Sequence, residues 1–131
     1  MQRPTFLARC AKCGTSFSRP EQSDFAYGTL LFSTSDGRRH AEVNALEEFP
    51  SRVGRLVAED DFWDALARLA DPIHGQTLVA DRPCPHCGST HLADWAGEQT
   101  GICEVETVAF ERAALLNDNE LTSRIHDKLT W

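Results

Sequence analysis

Cys10-Ala11-Lys12-Cys13-Gly14 and Cys84-Pro85-His86-Cys87-Gly88-Ser89 are the stretches on which the reading of this chain turns. Each sets two thiols three positions apart and closes with glycine. The pattern suits a tight turn in which both sulfurs face one metal ion, backbone N–H groups stabilise the thiolates, and glycine takes the left-handed conformation that completes the turn. One such turn offers half a tetrahedral site. Together Cys10, Cys13, Cys84 and Cys87 offer a closed set of four thiolates, which binds a single Zn²⁺ in a structural role because no position stays open for a substrate.

Seventy residues separate Cys13 from Cys84, against about 15 to 20 in compact zinc motifs. The longer loop costs only about 1.4 kcal/mol of extra closure entropy, whereas a structural zinc site contributes about 10 to 16 kcal/mol. A long insertion is therefore tolerated. On these residues the chain resembles a zinc ribbon, in which two knuckles on the tips of two hairpins clamp one ion, and Cys84-Pro-His-Cys87-Gly-Ser is close to the second knuckle of that group. The resemblance covers about thirty residues around the four cysteines; with the strands and helices of the remaining chain, the expectation is an α+β fold in one domain, 1–131. The ribbon would be formed by about 4–18 and 76–96, with an insertion over about 19–75 and a C-terminal strand and helix over about 101–131. It implies a metal and a local fold, and no activity, because function resides in sites and not in folds.

Outward from the knuckles, residues 4–9 read as a short strand. Phe25 to Thr34 is rich in β-branched and aromatic residues, and Ser35-Asp36-Gly37 supplies a hairpin turn that returns along Arg38 to Val43. From Asn44 the period changes. Leu46, Phe49, Val53, Leu56 and Val57 lie on one helical face whose regular part begins near Pro50. Asp61 to Ala70 is the clearest helix: Asp61 is placed to cap it, Asp64 suits the dipole, Phe62, Leu66 and Leu69 form the buried stripe with Trp63 beside them, and Pro72 ends it. Gln76–Asp81 and Thr90–Trp95 read as strands leading into and out of the second knuckle. Ile102–Phe110 alternates as a half-exposed edge strand, and Leu121, Ile125 and Leu129 space a terminal helix.

Other chemistries fit fewer residues. Cys84-Pro-His-Cys87 matches a thioredoxin-like dithiol, yet a strand-like segment follows it instead of a helix. Pro83-Cys84-Pro-His-Cys87 with His40-Ala41-Glu42 echoes a zinc deaminase signature, but leaves Cys10 and Cys13 without a role. Cys103 reads as a small apolar residue on the alternating strand. His86 should point outward from its knuckle, His91 is placed for a supporting contact, and His40, His74 and His126 read as surface or hydrogen-bonded residues.

The chain has 131 residues, 41% of them hydrophobic, which supports a single modest core. Charged residues at 25% and only 14 glycines and prolines exclude disordered and low-complexity classes. The first residues carry no apolar run and no window approaches a membrane span, so a cytoplasmic protein with reduced thiols is expected. The net charge of -7 is uneven: +3 over residues 1–40, -6 over 41–81 and -4 over 82–131. Four thiolates and one Zn²⁺ would take the total to about -9. Such a body repels phosphate backbones and attracts cationic partners. The expected function is non-catalytic binding of a protein with a basic surface, through Glu59, Asp60, Asp61 and Asp64, as an inhibitor or immunity protein against a cationic enzyme or toxin would bind. The alternative is nucleic-acid binding through Arg3, Arg9, Lys12, Arg19, Arg38 and Arg39.

Overall fold

A computed structural model describes residues 1–20, 28–94 and 97–127. Seven strands and four helices build a mixed α+β fold: β1 Gln2–Cys10, β2 Ser16–Pro20, β3 Thr29–Thr34, β4 His40–Asn44, α1 Glu48–Gly54, α2 Phe62–Leu69, β5 Leu78–Val79, β6 Leu92–Asp94, β7 Gln99–Thr107, α3 Glu111–Ala114 and α4 Asp118–Asp127. The strands form one sheet in the order β2-β1-β7-β4-β3-β5, with β6 also on β1. Of the strand pairs described, β4–β7 is parallel and the others are antiparallel.

The expected hairpin forms, with Leu30 opposite Val43 and Phe32 opposite Ala41. Its turn is held by Asp36 Oδ1, which accepts from Thr34 Oγ1 at 2.6 Å and from the Arg38 N–H at 3.0 Å. β3 is buried at every position from Leu30 to Thr34, as an interior strand covered on both faces should be. Helix α2 packs on α1, α4 and β5. Leu30, Phe32, Val43, Val53, Leu66, Leu69, Leu78, Leu121 and Ile125 are buried together as the main core.

Four local readings need correction. β7 lies inside the sheet and not at its edge: Gln99 to Glu104 pair with β1, and Val105 to Thr107 pair with β4. Its alternation reports one solvated face, which an interior antiparallel strand also has. Asp61 makes no side-chain cap; Glu59–Asp61 is a 3-10 turn running directly into α2. α1 starts at Glu48, with Pro50 in its first turn, where the missing N–H costs nothing. The short α3 was not expected, being one turn long. Parts of the expected Phe25 strand, Trp95 and Leu129 lie outside the described residues.

The knuckles sit differently from two hairpin tips. Cys10 ends β1, and the β1–β2 hairpin carries Cys13 in its turn. The strands flanking Cys84 and Cys87 are β5 and β6, which pair with β3 and β1. Sequence segments 4–18, 19–75 and 101–131 all contribute strands to the same sheet.

Candidate metal centre

Both knuckles fold by the same hydrogen bonds. In the first, the Cys10 N–H donates to the Thr15 carbonyl at 3.0 Å and the Gly14 N–H to the Cys10 carbonyl at 3.0 Å. In the second, the Cys84 N–H donates to the Ser89 carbonyl at 2.8 Å and the Gly88 N–H to the Cys84 carbonyl at 2.9 Å. Gly14 at φ 74° and Gly88 at φ 80° close the two turns in the left-handed region. The repeat thus extends to Cys-x-x-Cys-Gly-Thr and Cys-x-x-Cys-Gly-Ser, a likeness already visible in the sequence.

Two hydrogen bonds join the knuckle regions, and a third contact seats the second knuckle on the β3–β4 hairpin. The Ala11 N–H donates to the His91 carbonyl at 2.9 Å. Arg82, in a left-handed conformation at φ 48°, donates through Nη1 to the Pro20 carbonyl at 2.8 Å, tying the approach to the second knuckle to the end of β2. Gly37, at the tip of the β3–β4 hairpin, lies against Pro83 so closely that a Cβ there would stand 2.3 Å from the Pro83 carbonyl oxygen.

The result is a cluster of four sulfurs, all within 4.8 Å of one another. Cys10 Sγ lies 3.5 Å from Cys87 Sγ, and Cys13 Sγ lies 3.8 Å from Cys84 Sγ. Four sulfurs at about 2.3 Å from a common tetrahedral centre are about 3.8 Å apart, so the thiols are spaced to hold a metal ion. The distances are too long for a disulfide. Cys10 and Cys84 are buried, Cys13 and Cys87 exposed.

Electrostatics favour a cation here. The hydroxyl and N–H of Thr15 hold the Cys13 thiol down at about 6, and the Cys13 N–H leads in lowering Cys10. At Cys87 the Ser89 N–H pulls the same way, but burial and the neighbouring thiols outweigh it and raise the group to about 11. One thiolate forms readily, and adding more beside it requires compensating positive charge.

Among the described residues no other group of His, Cys, Asp and Glu is arranged to hold a metal. His40 and Glu42 of the deaminase-like match stand apart from this cluster. Glu42 accepts a bidentate pair from Arg3, Nε at 2.9 Å and Nη2 at 3.0 Å. Among the described residues, the buried Nδ1 of His40 has no hydrogen-bond partner. Burial, with Arg82 and Arg19 nearby, holds it down at about 4. His91 contributes its backbone carbonyl, while His86, His74 and His126 are exposed. Cys103 is half-buried on β7, and burial followed by the charge of Glu104 raises its thiol.

Glu59, Asp60, Asp61 and Asp64 are all exposed. Asp64 pairs with Arg68 one turn on, at 2.9 Å. Asp60 and Asp64 also line a groove of about 330 Å³ with Trp63, Asp81, Arg82 and Leu92, between α2 and the arms of the second knuckle. Sequence reasoning missed this juxtaposition, because only the fold brings Asp81 beside Asp60. Of the six cationic residues in the first 40, Arg3 is engaged by Glu42 and Arg19 is buried. No helix among the described residues is long and apolar enough to cross a membrane. Comparison with known proteins finds no matching family model, no matching curated protein and no matching solved structure.

Proposed function

We propose that Cys10, Cys13, Cys84 and Cys87 hold one structural Zn²⁺ between ribbon-like knuckles, and that the protein acts without catalysis, by binding another protein through its acidic face. The observation that carries the metal reading is the convergence of four sulfurs from two identically hydrogen-bonded turns. An all-thiolate set favours zinc over hard cations such as calcium or magnesium. The ion's place is to fix the second knuckle against the first, and with it the groove wall formed by Asp81, Arg82 and Leu92.

The partner reading rests on charge. The acidic residues Glu59, Asp60, Asp61 and Asp64 stand exposed on the turn that opens α2, beside that groove. A partner presenting lysine or arginine side chains complements this surface, and inhibition of a cationic enzyme, as by an immunity protein facing a nuclease toxin, is the specific form proposed. Nucleic acid is the poorer fit, since two of the six N-terminal cations do not face solvent freely.

Purification of the native complex at low and physiological salt tests the proposal. A basic protein should be retained and then lost with the combined Asp60→Lys and Asp64→Lys variant. Nucleic acid retained at physiological salt would overturn the reading, because an acidic body loses weak phosphate contacts there.

A further inference from the structure

Two sulfur contacts at the centre, at 3.5 and 3.8 Å, each join one knuckle to the other and one exposed thiol to one buried thiol. Cys13, exposed, faces Cys84, buried, at 3.8 Å; Cys87, exposed, faces Cys10, buried, at 3.5 Å. We infer that the centre is a peroxide-sensitive switch that releases its metal by forming two disulfides across the knuckles, Cys13–Cys84 and Cys10–Cys87. The inference rests on the metal reading above.

The chemistry follows from access. An exposed thiolate attacks hydrogen peroxide; an S–O bond forms, the O–O bond breaks, and hydroxide leaves to be protonated to water. The buried thiolate opposite then attacks that sulfur, the S–S bond forms, the S–O bond breaks, and a second hydroxide leaves as water. For the whole centre, four zinc-bound thiolates, two peroxides and four protons give two disulfides, four waters and free Zn²⁺. Each peroxide takes up two electrons, and each pair of sulfurs supplies them.

The scaffold favours this pairing over closure within each Cys-x-x-Cys. The knuckles are held together by groups that are not metal ligands, the Ala11 N–H on the His91 carbonyl and the Arg82 guanidinium on the Pro20 carbonyl, while Gly37 against Pro83 seats the second knuckle on the β3–β4 hairpin. Loss of the ion therefore leaves the facing sulfurs together, with a shift of less than about 2 Å needed to reach disulfide length. The cross-links then replace the metal in joining the knuckles, and a thiol reductant reverses them.

The test uses the full chain carrying Cys103→Ser, to remove the fifth thiol, treated with hydrogen peroxide in the presence of a colorimetric zinc indicator. Two equivalents of peroxide should release one zinc, peptide mapping should find Cys13 joined to Cys84 and Cys10 to Cys87, and dithiothreitol should restore zinc uptake. In the further variant Cys13→Ser, only the Cys10–Cys87 bridge should form. Disulfides within the motifs, Cys10–Cys13 and Cys84–Cys87, would overturn the inference while leaving the metal reading intact, as would zinc retained in excess peroxide. Protein purified without metal would overturn the metal reading and the release step together.

Discussion

Gly37 meets two demands at once: it turns the β3–β4 hairpin at φ 75°, and it lies under the second knuckle where a Cβ would be 2.3 Å from the Pro83 carbonyl. Gly14 shares the conformation, at φ 74°, with open space around it. Gly14→Ala should therefore cost only the left-handed strain, about 1 kcal/mol. Gly37→Ala should cost about 2 to 4 kcal/mol, adding overpacking to that strain, and should weaken zinc binding by moving Pro83 and with it Cys84. Urea unfolding and a zinc competition assay on the two variants measure both effects. His40 gives a pH signature. Its imidazole is held at about 4, against an ordinary value of 6.5, first by burial and then by Arg82 and Arg19. Below pH 6.5 the unfolded chain binds a proton that the folded one refuses. Stability is therefore full above that pH and falls as pH drops towards 4, by about 3 kcal/mol in all. In His40→Gln this share of the slope should vanish, while the share due to thiol protonation at the metal stays. Denaturant titrations of both proteins between pH 7 and 4 separate the two.

Helix α4 shows how packing divides stability within an element. Leu121 is fully buried among the helices, while Leu115, just before α4, is 86% exposed. Leu121→Ala should cost about 3 kcal/mol in unfolding free energy, and Leu115→Ala less than about 0.5 kcal/mol. Elements of this sort were legible where local chemistry decides them. Asp36-Gly37 announced the hairpin, the spacing of Leu66 and Leu69 announced α2, and the paired cysteines announced the centre. Elements set by distant partners were not. Nothing in Gln99–Thr107 tells that its first half pairs with β1 and its last three residues run parallel to β4, because register with remote strands leaves no periodic trace. The second knuckle looked like a hairpin tip for the same reason: its flanking segments read as strands, and only the fold reveals that they pair with β3 and β1 and not with each other. Asp61 misled differently. An acidic residue before an apolar stripe fits both a cap and a 3-10 entry, and composition does not separate them.

At the scale of the molecule, the main core and the metal centre occupy different parts of one sheet. The core cluster draws on β3, β4, β5 and all four helices and contains no cysteine of either knuckle. Removing the metal should therefore free the cysteine-bearing turns themselves, while the Ala11–His91 and Arg82–Pro20 contacts that hold the knuckles together survive with the helical core. Hydrogen exchange after chelation should find lost protection at the turn amides of Cys10, Gly14, Cys84 and Gly88, with the Ala11 amide and those of β3, β4 and α2 still protected and the far-ultraviolet helix signal retained. Global unfolding on chelation would mean that the ion, and not the core, carries the fold. The long separation of the two motifs fits this division, since much of the chain between them packs into that core with Val108, Ala113, Leu121 and Ile125 from beyond the second knuckle. Closure of four thiolates on one ion is tested most directly by metal analysis of the native protein combined with a thiol count. One Zn²⁺ per chain is expected, with Cys10, Cys13, Cys84 and Cys87 shielded until denaturation and Cys103 alone outside the centre. A metal-free chain in which all four react as ordinary thiols would contradict it.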